Sequence, residues 1–125
     1  MSVVILHLRS STGLYGAEQV VLELCRHQSV SHEGTCLLVF SRPSQPPPSL
    51  LEEAWRRGLR AERLICQGPL DPRCVADLRR RLKASCRSET TILHCHDYKS
   101  VVYGGLASTG LSVARVATLH GWLEG

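Results

Sequence analysis

Aromatic residues are scarce in this chain: two Trp, three Tyr and one Phe, or 5% of 125 residues. Arginine-rich stretches without interleaved rings lack the stacking groups that nucleic-acid sites use, so nucleic-acid binding is not expected. Long apolar runs are missing as well. The start, Met1-Ser2-Val3-Val4-Ile5-Leu6-His7, has no basic segment, and its apolar run is too short for a signal peptide or a spanning helix. None of the six cysteines (Cys25, Cys36, Cys66, Cys74, Cys86, Cys95) forms a Cys-x-x-Cys pair with another. Most sit in apolar runs, where a free thiol behaves as a small buried hydrophobe, which predicts a reducing, cytoplasmic compartment rather than a disulfide framework. Two familiar phosphate loops are also absent: there is no Gly-Lys-Ser/Thr, and no G-x-G-x-x-G follows a strand.

What is present suffices for one domain, residues 1–125. Apolar residues make up 43% of the chain, and folding at this size buries roughly two-thirds of the extended chain's surface, enough for a core without a metal or disulfide staple. The formal charge of +4 permits contact with phosphates or an anionic membrane face and demands neither.

Val3 to Leu8 is a β-branched apolar run of strand length, closed by Ser10-Ser11-Thr12-Gly13. From Ala17 the positions Ala17, Val20, Val21, Leu24 and Cys25 predict the buried stripe of a helix. Thr35 to Phe40 reads as the second strand, and Pro43 with Pro46-Pro47-Pro48 then forces an extended loop. A short helix through Leu51, Ala54 and Trp55 ends at Gly58, and Arg60 to Cys66 reads as the third strand. Asp71-Pro72 supplies a cap and a first-turn proline for a helix burying Val75, Leu78 and Leu82. Thr90 to His96 is the fourth strand. Asp97 caps a helix expected to bury Val101, Val102, Gly105 and Leu106, and Val113 to Leu119 is the fifth strand. Alternating strands and helices predict an α/β, doubly wound, Rossmann-like parallel sheet of about five strands, both faces covered by helices.

Ligands of such sheets bind at the carboxyl ends of the strands, which selects three segments. In Thr12-Gly13-Leu14-Tyr15-Gly16-Ala17-Glu18, free N–H groups at a helix start suit a phosphate, though a plain strand-to-helix turn has the same glycines. In His94-Cys95-His96-Asp97, His94 and His96 share one side of the strand and Cys95 points to the other, so these residues do not gather the ligands of a metal site, and none is expected. His120, beside Gly121 at the end of the fifth strand, is placed to reach into the cleft, where an imidazole can donate, accept or transfer a proton. A basic cluster, Arg73, Arg79, Arg80, Arg81, Lys83 and Arg87, crowds one helix; it is either a solvated face or a peripheral contact with the inner face of a membrane.

Val4-Ile5-Leu6-His7-Leu8, then Gly13-Leu14-Tyr15-Gly16-Ala17-Glu18, then Ile92-Leu93-His94-Cys95-His96-Asp97, then Val116-Ala117-Thr118-Leu119-His120-Gly121 resemble the N-terminal domain of the family-four, GT-B-fold glycosyltransferases. The resemblance implies one half of a two-domain enzyme. It implies retaining transfer of a hexose from a nucleotide-diphosphate sugar to a hydroxyl acceptor, with no cofactor or metal. Gly13 and Gly16 would approach the donor diphosphate, His120 would be the catalytic-centre residue beside the transferred sugar, and His96 with Asp97 would lie on the acceptor side. Tyr15 stands where the family often has the first of two adjacent glycines. The family's E-x7-E segment belongs to a C-terminal nucleotide-sugar domain that this sequence does not include, so the 125-residue chain is expected to be inactive alone. The different-class alternative is a non-catalytic binding module or pseudoenzyme holding a phosphorylated or glycosylated ligand.

Overall fold

A computed structural model describes residues 2–10 and 14–119. Among these residues five strands, β1 (Val3–Arg9), β2 (Cys36–Ser41), β3 (Ala61–Ile65), β4 (Thr90–Cys95) and β5 (Val113–Ala117), alternate with four helices, α1 (Gly16–Ser31), α2 (Ser49–Arg56), α3 (Pro72–Cys86) and α4 (Tyr98–Ala107). All pairings are parallel, and the order is β3-β2-β1-β4-β5. The chain therefore winds outward from β1 through β2 to β3, then crosses back to lay β4 on the other side of β1. This is the expected doubly wound sheet, with its switch point between β1 and β4.

Strand alternation divides the interior in two. Leu6, Leu8, Leu38, Leu64, Leu93 and Cys95 face α3 and α4, while Leu37 and Val39 face α1 and α2. The buried thiols belong to these layers. Burial raises Cys25 and Cys74 to about 12 and Cys36 and Cys95 to about 11, so they stay protonated and pack as hydrophobes. Gly58 and Gly110, each at φ +76° just past a helix, make the left-handed turns that end α2 and α4.

Three faces differ from the sequence expectation. On α1 the inward stripe is Glu18, Val21, Leu22 and Cys25, and Val20 is half exposed. A carboxylate heads the stripe because a partner meets it inside, as described below. On α4 the buried residues are Ser100, Tyr103, Gly104 and Ala107, while Val101, Val102 and Leu106 face outward. The reason is clearance, since a Cβ on Gly104 would stand 2.8 Å from Cys95 Sγ and 2.9 Å from Leu93 Cδ2. At position 104 only a glycine lets this helix lie so close to β4. Finally, β5 is an edge strand with only Val113 buried, so helices do not cover both faces along the whole sheet.

Candidate functional site

The carboxyl ends of β1 and β4 meet at the switch point, where Arg9 ends β1 and His96-Asp97 follow β4. Arg9 Nη2 lies 2.6 Å from Glu18 Oε2, Nε reaches the same oxygen at 3.2 Å, and Nη1 donates to the His96 carbonyl at 2.6 Å. Asp97 Oδ2 stands 3.7 Å from Arg9 Nη1. Glu18 is only 3% exposed, and its second oxygen accepts the Tyr15 N–H at 2.9 Å, closing the first turn of α1. Asp97 accepts from the N–H of Ser10 at 2.7 Å and of Ser100 at 2.8 Å, so one side chain caps α4 and ties the β1 loop to β4. Arg9 was not among the residues singled out from sequence. An arginine closing an apolar strand is a signal for it, but Glu18 and Asp97 become its partners only when three separate segments converge.

Behind this network lies a layer of three imidazoles. His7 of β1 is in register with His94 of β4, and His96 follows on the same side. His7 and His96 are fully buried. His7 Nδ1 is 2.8 Å from His96 Nε2, and His7 Nε2 is 2.5 Å from Gln28 Oε1 of α1. With an amide oxygen facing Nε2, the His7 proton belongs on Nε2, leaving Nδ1 to accept the proton of His96. His94 Nε2 meets Thr118 Oγ1 at 2.8 Å. Burial, with a smaller contribution from His94, lowers His7 from 6.5 to about 4 despite the opposing Gln28 bond, so His7 is neutral at physiological pH.

The third imidazole that His94 and His96 lacked in sequence thus comes from β1. The ligating nitrogens of His7, His94 and His96 lie within 4.8 Å of one another. The donor set suits a borderline metal, but the arrangement is a stack: His94 and His96 are 4.0 Å apart at 25° and His7 and His96 5.1 Å apart at 26°. Nitrogens sharing a tetrahedral zinc stand about 3.3 Å apart, following from Zn–N bonds of about 2.0 Å. The 2.8 Å between His7 and His96 is a hydrogen bond. A metal would have to break it and turn the rings.

Of the residues singled out from sequence, the structure brings His96 and Asp97 together at the switch point and puts Gly16 at the open start of α1, where an added Cβ would meet nothing within 4 Å. His96 faces inward to His7 rather than into solvent. Gly13 and His120 lie outside the described residues. Three of the six cations of the basic helix are committed to the protein. Arg79 Nη1 donates to the carbonyls of Ala107 and Thr109, Arg80 pairs with Asp77, and Arg81 pairs with Glu62 and Asp77. No helix among the described residues is long and apolar enough to cross a membrane.

Residues 15–124 match the model of Glycosyltransferase Family 4. The chain belongs to that family. A glycosyltransferase from Rickettsia africae ESF-5 has a similar structure, with a TM-score of 0.64 at 12% identity over 93% of this chain. At that identity the likeness concerns the fold. The family chain described here spans 29% of that protein's length. A comparison with curated proteins gives no match.

Proposed function

We propose that this family-four domain is the acceptor-side half of a GT-B glycosyltransferase that moves a hexose, with retention, from a nucleotide-diphosphate sugar to a hydroxyl acceptor. The supporting observation is the switch-point architecture: Arg9, Glu18 and Asp97 lock the β1 loop, the start of α1 and the end of β4 into one rigid edge. Gly16 lies exposed on that edge at the start of α1, where helix N–H groups have no partner within the helix. Such donors stabilise charge developing on a leaving diphosphate without reorganising during the reaction.

In this reading Gly13 and Gly16 approach the diphosphate, His120 orients the transferred sugar, and His96 with Asp97 supports the acceptor side. The reaction needs no cofactor from this half. Binding of the nucleotide moiety falls to a facing domain, and any peripheral membrane contact through α3 falls to Lys83, since its neighbours Arg79, Arg80 and Arg81 are bound within the protein. The test is a transfer assay with nucleotide-diphosphate hexoses on a protein that joins this chain to a nucleotide-sugar-binding domain of the same family. Turnover that drops more than donor affinity in His120→Ala supports the reading. Equal activity in that variant removes His120 from the mechanism, and turnover by the 125-residue chain alone overturns the division of labour.

A further inference from the structure

We propose that a second feature of the carboxyl edge, a cavity of about 430 Å³ beside the switch point, seats an acceptor carrying an anionic group, a phosphate or carboxylate, held between Arg42 and Lys99. This deepens the transferase reading by naming the class of acceptor, and it rests on that reading only for calling the ligand an acceptor.

The cavity opens at the ends of β1, β2 and β3 and is lined by Ser10, Phe40, Arg42, Cys66, Gly68 and Lys99 among others. Among the described residues its lining includes two cations and no acid. Neither cation has an ion-pair partner among the described residues, whereas Arg9, Arg26, Arg56, Arg57, Arg80 and Arg81 all pair with carboxylates. Two acids in the flanking segments are already engaged. Asp97 holds the N–H groups of Ser10 and Ser100, and Asp71 holds those of Gln67 and Arg73. Lys99 Nζ sits 4.8 Å above the Phe40 ring, which fixes the ammonium over the cavity wall without neutralising it.

Both walls are braced. Arg63 Nη2 donates to the carbonyls of Arg42 at 2.7 Å and Gln45 at 3.0 Å, pinning the proline-rich loop. Opposite, the Tyr103 hydroxyl accepts the Asp71 N–H at 2.8 Å and meets the Pro69 carbonyl at 3.1 Å. A preformed cavity with two uncompensated cations binds an anion without first paying to order its walls. Phe40 and the prolines Pro46, Pro48 and Pro69 offer apolar surface to the carbon skeleton that bears the charge.

The experiment is calorimetric titration of the 125-residue chain with glucose 6-phosphate, glucuronate and glucose, and flotation with phosphatidylglycerol vesicles as the lipid arm. The expected result is that a phosphate or carboxylate probe, soluble or lipid-borne, binds at least about tenfold more tightly than glucose, a preference worth about 1.4 kcal/mol. Arg42→Gln with Lys99→Gln should remove that preference, while Arg26→Gln with Arg56→Gln, surface cations of α1 and α2 away from the cavity, should leave it intact. Arg42 is exposed and Lys99 half-buried, and circular dichroism checks that the variants fold. Equal binding of charged and uncharged probes, or a preference that survives the Arg42/Lys99 variant, overturns the proposal. Anion binding that persists where the joined protein transfers no sugar sinks the transferase reading and leaves the anion site standing.

Discussion

Acidification should weaken this domain through one buried imidazole. His7 is fully buried and held near 4, against 6.5 for an unperturbed histidine. Its folded pKa is depressed, so between these values the unfolded chain binds the proton and the folded chain does not. The neutral His7 therefore contributes fully above pH 6.5, and that contribution is lost as pH falls toward 4. At about 1.36 kcal/mol per pKa unit, moving from pH 7.5 to 5 should remove about 2 kcal/mol, and the whole gap is worth about 3 kcal/mol. Against a typical total of roughly 5–15 kcal/mol this is readily measured. Urea unfolding of the wild type and of His7→Gln, each at pH 7.5 and pH 5, isolates the effect, because exposed histidines and carboxylates titrate alike in both proteins. The stability of His7→Gln should fall by about 2 kcal/mol less than that of the wild type over this range. Should the variant not fold, the imidazole proton resonances of the wild type give the midpoint directly. Parallel pH slopes, or a His7 midpoint near 6.5, would refute the reasoning.

Two further outcomes follow from packing and charge. Arg9→Met leaves Glu18 buried without its cation, and a loss of about 3–5 kcal/mol is expected in chemical denaturation; an effect below about 1 kcal/mol would show that Glu18 is solvated or protonated at no cost. Gly104→Val places a branched side chain where even a Cβ meets Cys95 and Leu93 inside 3 Å. It should cost at least about 1–3 kcal/mol and push α4 from β4, with Gly105→Ala, which faces open space, as the harmless control.

How much of this was legible in the sequence differs from element to element. The strands were, because Val3 to Leu8 and Thr35 to Phe40 are continuous β-branched and leucine-rich runs, and continuous runs mean two covered faces. Helix starts were legible where chemistry is local: Asp71 accepts from Arg73 N and Asp97 from Ser100 N, as their positions foretold. Helix faces were less so. Periodicity scores Val101, Val102 and Leu106 as core because it weighs hydrophobicity, yet clearance against β4 turned Gly104 and Ala107 inward. The same bias hid Glu18, whose burial depends on an arginine nine residues earlier.

The sequence by itself thus determined the succession of strands and helices, the caps at Asp71 and Asp97, and the segments that end at the carboxyl edge, because those depend on near neighbours. Tertiary structure alone decided that β4 returns beside β1, and with it every long-range relation at the site. His7 met His96 across 89 positions, Arg9 found Asp97, Arg79 was spent on the end of α4, and Arg42 and Lys99 were left facing one cavity with no acid among its described lining residues. Charge and hydrogen bonding act through space over a few ångströms, and only the crossover of the sheet says which residues stand that close.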